Sequence, residues 1–232
     1  MRVKIFVIMI TVLLILMAVT GCVSAPVSNT GNSGNAASPQ QSARQQAIEQ
    51  MLPIRTIPPQ RPAWVDNVPD SSSTQSFVGS AGRYATATGN TGARYYAEEN
   101  GRTQLVAFYG TLLSDKARTY ASTFGITSET LAPQVAGQQL NERIAQNVAQ
   151  ALAAREYYTE VYLDQTNREA FEVYVLMQVD KALVKKVIDN YGQEQAADYK
   201  KKAAAEQDAV RKQQLQKASE FFGGNLSSSL GF

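Results

Sequence analysis

The side chains able to do chemistry are few, and the missing types narrow the field most. The chain of 232 residues holds one cysteine, Cys22, and no histidine. Without an imidazole there is no Ser–His–Asp triad, no Cys–His dyad and no histidine metal ligand. A single thiol forms no intramolecular disulfide, zinc ribbon or CxxC redox pair. Gly79-x-x-Gly82 and Gly89-x-x-Gly92 lack the Lys-Ser/Thr that follows in a phosphate loop and the three-glycine dinucleotide spacing. Tight strand packing and a turn account for them. Glu98-Glu99, and Glu169 with Glu172, come nearest to paired carboxylates. Adjacent helical residues point apart, so these acids read as solvated faces or salt bridges. No EF-hand spacing of Asp and Asn occurs. The expectation is no catalytic residue, no cofactor-binding residue and no metal ligand. Lys200-Lys201-Lys202 could meet acidic headgroups, but Glu194, Asp198, Glu206 and Asp208 dilute the run into a solubilising face. Tyr157, Tyr158, Tyr162 and Tyr174 fall in strand-like stretches where aromatic residues pair across strands; lining a glycan groove is their alternative use.

Cys22 has the most telling surroundings. Arg2 and Lys4 precede an apolar run from Ile5 to Val19, interrupted only by Thr11. About fifteen apolar residues behind positive charge make an export signal, since a membrane span needs roughly 20. The run ends in Val19-Thr20-Gly21-Cys22, which resembles the lipobox of bacterial lipoproteins. The resemblance implies cleavage between Gly21 and Cys22, diacylglycerol on the Cys22 thiol and an acyl chain on its new amino terminus. Three acyl chains, at roughly 0.8 kcal/mol per buried methylene, hold a protein firmly to a membrane. Val23 stands where an aspartate would favour the inner membrane, so the expected location is the outer membrane, facing the periplasm. The 22 Lys+Arg exceed the 20 Asp+Glu only through Arg2 and Lys4, which leave with residues 1–21. The remainder balances, and nothing in its charge points to nucleic acid.

The elements behind these residues follow from composition and period. Hydrophobic residues at 44% and charged residues at 18% fit a globular chain with a core. Residues 22–62 carry six of the eight prolines, with Ser, Asn, Gly and Gln, and read as a disordered tether. Stretched, such a tether reaches at most ~140 Å; as a coil it averages nearer ~35 Å. Order is expected from Ala63-Trp64-Val65. A first strand is predicted over 77–83, a helix over 92–108 with Gly110 as its stop, and a second strand over 112–120. Pro133 opens a helix whose face is Leu140, Ile144, Val148 and Leu152. Residues 157–163 and 171–179 alternate, and the polar link Asp164–Arg168 makes them an antiparallel hairpin. A last helix starts near Lys181, and its Ala/Gln/Lys/Glu continuation past Gly192 reads as solvent-exposed or partner-bound helix outside the core.

These segments give an α+β fold: a sheet of about four strands packed by helices, preceded by a disordered tether and followed by an extended C-terminal helix. The expected divisions are 1–21 signal, 22–62 tether, 63–192 folded domain and 193–232 helix with a short flexible tail. Pro62-Ala63-Trp64-Val65, Phe77-Val78-Gly79-Ser80-Ala81, Ala97-Glu98-Glu99-Asn100-Gly101-Arg102-Thr103-Gln104-Leu105 and Tyr174-Val175-Leu176-Met177-Gln178-Val179-Asp180 together resemble the Lpp-twenty family of bacterial lipoproteins over about residues 62–190. The resemblance implies a compact α+β domain that assembles or binds protein partners, in a family that includes outer-membrane lipoproteins and proteins built around the flagellar motor. It carries over no catalytic residues and does not explain the tail after Gly192. The expected function is therefore a lipid-anchored, non-enzymatic envelope lipoprotein that binds or self-assembles with envelope proteins. A peptidoglycan- or small-ligand-binding lipoprotein is the alternative, and a Ser/carboxylate hydrolase a remote one.

Overall fold

A computed structural model describes residues 52–69, 71–85 and 89–232. The expected signal, Cys22 and the expected tether up to Met51 lie outside the described residues.

Four antiparallel strands form one sheet: β1 (Arg55–Ile57), β2 (Thr74–Ala85), β3 (Ala153–Leu163) and β4 (Glu169–Asp180), in the order β1-β3-β4-β2. The helices are α1 (Gly89–Phe124), α2 (Pro133–Asn147), α3 (Lys181–Ala205), α4 (Ala209–Gly223) and the one-turn α5 (Leu226–Ser229). The fold is α+β.

The β3–β4 hairpin forms where the alternation places it. The Asp164 carboxylate accepts from the backbone N–H groups of Thr166 and Arg168 at 2.8 and 2.9 Å, while Asn167 takes the left-handed conformation at φ 61°. That is an Asx-type turn. Phe171, Val173, Val175, Met177 and Val179 then share the face covered by helices, with Val161 of β3 and Phe77 of β2. Glycine sets how closely α1 lies on this face. A Cβ on Gly79 would collide with the Ala97 carbonyl of α1, and one on Gly101 would stand 2.5 Å from Met177 Sδ. Gly79 thus does the strand-packing job its sequence suggests. Gly82 has nothing near it.

Four expectations change. Leu112–Tyr120 is helix, not strand, because α1 runs unbroken to Phe124. The reason is visible in burial: Leu105, Tyr109, Leu113, Ala117 and Ala121 extend one i, i+4 stripe. Gly110 does not stop the helix; its missing side chain lets α1 cross α2 at Gly137, whose carbonyl a Gly110 Cβ would meet at 2.6 Å. The actual stop is Gly125, at φ 63°. Second, the fourth strand is β1, inside the stretch expected as tether, so order begins upstream of residue 63. Its three residues pair with Thr159–Val161 and, flanked by prolines, give no alternation to detect.

Third, α2, expected to run to about Ala154, ends at Asn147, and a 3-10 turn over Ala149–Ala151 leads into β3. Fourth, the residues after 192 are not excluded from the core. The chain breaks at Glu206–Asp208, where the Asp208 carboxylate caps α4 by accepting from the Arg211 N–H at 2.7 Å. The α4 helix then returns along α3, and it and the α5 segment after it deliver Phe222, Leu226 and Leu230 to the same core as Val184, Ile188 and Tyr191. Gly192 permits the approach, since a Cβ there would sit 2.8 Å from the Phe222 carbonyl. Few but well-spaced large residues suffice when Ala and Gly let two helices lie close.

Candidate functional site: the outer face of the sheet

The sheet face turned away from the main core carries a cluster of polar and aromatic side chains. Pairing places Tyr158 of β3 directly opposite Tyr174 of β4, and Glu160 opposite Glu172. Facing like charges destabilise a sheet unless cations intervene. Two arginines do so. Arg61, on the proline-rich segment after β1, donates to Glu160 at 2.7 Å, and Arg83 of β2 lies 3.4 Å from Glu172. Two phenols complete the set: Tyr162 donates to Glu160 at 2.6 Å and Tyr174 to Glu172 at 2.7 Å. The Arg61 guanidinium also lies 5.4 and 5.1 Å from the Tyr158 and Tyr174 ring centres, and Arg83 lies 3.7 Å from that of Tyr162.

Trp64 extends the cluster. Its 3-10 turn, Ala63–Val65, sets the indole on Tyr158 and Leu176, and Nε1 donates to Glu156 at 2.8 Å. The lone tryptophan is therefore buried on the outer face, apart from the main core.

The titration shifts follow from this packing. Burial first, and then the hydrogen bond to a carboxylate, push the Tyr162 and Tyr174 phenols up to about 12. The hydrogen bond to Asp66 raises Arg61 and lowers Asp66. Each of the two facing carboxylates has an arginine and a phenol donor beside it. The arrangement can recognise a charged or aromatic surface. It holds its acids in mutual bonds and does not converge two of them on a vacant point.

The other residues singled out by sequence are spread through the molecule. Arg102 bridges Glu98 at 3.2 Å and Glu99 at 2.7 Å, and Tyr157 donates to Glu98 at 2.6 Å. Glu169 pairs with Arg55 at 2.9 Å. Both acid pairs are salt-bridged, as their spacing suggests. Lys202 pairs with Asp198 at 2.6 Å on α3. The strand tyrosines are engaged within the chain: Tyr157, Tyr162 and Tyr174 donate to glutamates, and Tyr158 stacks under Arg61. Among the residues whose burial is described, the solvent-facing tyrosines are instead Tyr95 and Tyr96 on α1.

A serine–lysine contact also exists. Lys185 Nζ lies 2.8 Å from both Asp189 and the Ser227 hydroxyl. Burial opposes a charged Asp189, but its bonds from Lys185 and Ser227 outweigh that and hold it below the usual carboxylate range. Ser227 is fully buried and donates to Asn225 at 3.0 Å. The contact pins the chain end to α3. Among the described residues no group of acids or thiols could hold a metal ion, and no helix is long and apolar enough to cross a membrane.

Sequence reading missed Arg61, Arg83, Glu160 and the position of Trp64. The signal was present as Tyr158-x-Glu160-x-Tyr162 and Glu172-x-Tyr174, the polar halves of two alternating strands. Compared with protein-family models, with curated proteins and with solved structures, the chain matches none.

Proposed function

We propose that the chain is a lipid-anchored, non-enzymatic lipoprotein of the cell envelope, in the outer membrane and facing the periplasm. Its α+β domain binds envelope proteins or assembles with itself, and the Lpp-twenty resemblance is part of this reading. The observation that carries it is the sole cysteine, placed directly after a charged and apolar leader in Val19-Thr20-Gly21-Cys22. The outer sheet face adds support. A surface of paired arginines, glutamates and tyrosines suits recognition of another protein, for which aromatic residues and arginine are the favoured contacts. Metabolic labelling with a palmitate analogue tests the anchor: label is expected on the full chain and absent from Cys22→Ser. Label on neither, with the chain still exported, would remove the anchor. In-cell crosslinking of the labelled protein then identifies what it binds.

The alternative, a peptidoglycan binder, draws on exposed Tyr95 and Tyr96, whose rings lie 5.7 Å apart. Retention of the full chain on purified sacculi, lost when both become alanine, would favour it.

A further inference from the structure

The two edges of the sheet differ. β1, at one edge, is three residues long and lies between Pro53 and Pro58. Shortness and proline both protect an edge, whose row of free N–H and C=O groups otherwise pairs with any extended chain that reaches it. β2, at the other edge, has neither protection. It runs for 12 residues without proline, and among the described residues only its β4 side is paired with a strand.

Side chains of α1 occupy the other side. Asn100 Oδ1 accepts from the Ser80 backbone N–H at 3.1 Å, and Gln104 Nε2 donates to the Val78 carbonyl at 3.1 Å. The Gln104 amide also donates to Asn100 Oδ1 at 2.7 Å, which locks the pair together. Alternate residues of an antiparallel strand turn their main-chain groups to the same side. The Val78 carbonyl and the Ser80 N–H are therefore the acceptor and donor that an added strand would meet. A carboxamide carries the same C=O and N–H as a peptide bond, so the two side chains supply what a fifth strand would supply. Ser76, the next residue on that side, is only 5% exposed, and its groups are covered too. Glycine makes the reach possible. A Cβ on Gly79 would collide with the Ala97 carbonyl, so α1 lies close enough for side chains one turn further on to bond the strand edge.

We infer that Asn100 and Gln104 close the free edge of β2 against strand addition, and that the strand they exclude is β2 of a second copy of this chain. Two copies would present the same edge to each other, and antiparallel pairing about a two-fold axis joins like to like. The inference is independent of the self-assembling reading above. It assigns any assembly of the intact chain to surfaces other than this edge.

The test uses the full chain purified in detergent micelles, with self-association followed by analytical ultracentrifugation. Asn100→Ala with Gln104→Ala frees the Val78 carbonyl and the Ser80 N–H and should tighten self-association about tenfold or more. Alanine is the stronger helix former at both positions, and a circular dichroism melt checks that the variant folds. Adding Ser80→Pro removes the outward N–H and leaves the β4 ladder intact, which an edge strand tolerates. The triple variant should return to the association of the unaltered chain. A double variant that associates no more tightly, or tighter association that Ser80→Pro leaves in place, would overturn the inference. An unaltered chain that self-associates while the double variant gains nothing rejects the closed edge and leaves the self-assembling reading. An unaltered chain that stays monomeric while the double variant pairs does the reverse.

Discussion

On β4, Val173, Val175 and Met177 point toward α1 and are fully buried, while Glu172 and Tyr174, one position away, point to the opposite side. The two faces of this sheet are built on different physics. The inner face relies on shape: Gly79 against Ala97 and Gly101 against Met177 leave no room for an added atom. Hydrophobic burial and close packing hold it. The outer face relies on electrostatic pairing, with Arg61 and Arg83 neutralising a facing Glu160/Glu172 pair. An error on the inner face should be felt as lost volume or a collision, largely independent of pH and salt. An error on the outer face should be smaller and should respond to both.

Phe222→Ala puts this contrast under the greatest stress. Phe222 is 2% exposed and stacks on Tyr199 at 5.6 Å. If the C-terminal helices belong to the inner core, urea denaturation should show a loss of about 3–5 kcal/mol. A loss below about 1 kcal/mol would return the tail to the surface. Next comes Gly79→Ala, where the added methyl meets backbone rather than a movable side chain; a loss of about 1–3 kcal/mol is expected in the same measurement. Arg61→Ala removes the Glu160 cation and the cover of two tyrosine rings. Because its side chain is 38% exposed, solvent screens the pair and the expected loss is only about 1 kcal/mol, shrinking further at high salt.

Alkaline titration acts on both faces, because burial raises Tyr109 and Tyr191 in the main core as well as Tyr162 and Tyr174 on the outer face. Tyr162 and Tyr174 are raised in the folded state from 10.0 to about 12. Folding therefore favours their neutral form. That contribution is complete below pH 10 and is lost as pH rises to 12. Tyrosinate absorbance followed with stability should show the loss, and Tyr162→Phe should reduce it. The smallest effect belongs to the exposed pair on α1. Arg118→Ala should change stability by less than about 0.5 kcal/mol, because Asp115 and Arg118 are both 62% exposed.

Much of the sheet is legible in the residues alone. Period-two alternation assigns Phe171–Val179 to two faces, because successive strand side chains must point oppositely. The Asp164–Arg168 turn follows from residues that bond their own backbone. The outer cluster is legible only as its strand halves. Its cations come from outside the hairpin: Arg61 lies 99 residues from Glu160, and Arg83 lies 89 residues from Glu172. Only the pairing register shows that two glutamates face each other and need them. The strand expected at 112–120 fails because a short apolar run fits either period, and the buried i, i+4 stripe shows itself only once α2 and the sheet are in place.

Residue types and their spacing decide what is local: the turn chemistry, the strand faces, the charge balance beyond residue 21, and the exclusion of histidine and disulfide chemistry. Packing between distant elements decides which glycines terminate a helix and which admit a neighbour. It also draws Arg55–Ile57 into the sheet, returns the Ala-rich tail to the core and sets Arg61 between two tyrosines. Each of these depends on contacts between residues far apart in the chain, and local propensity carries no record of them.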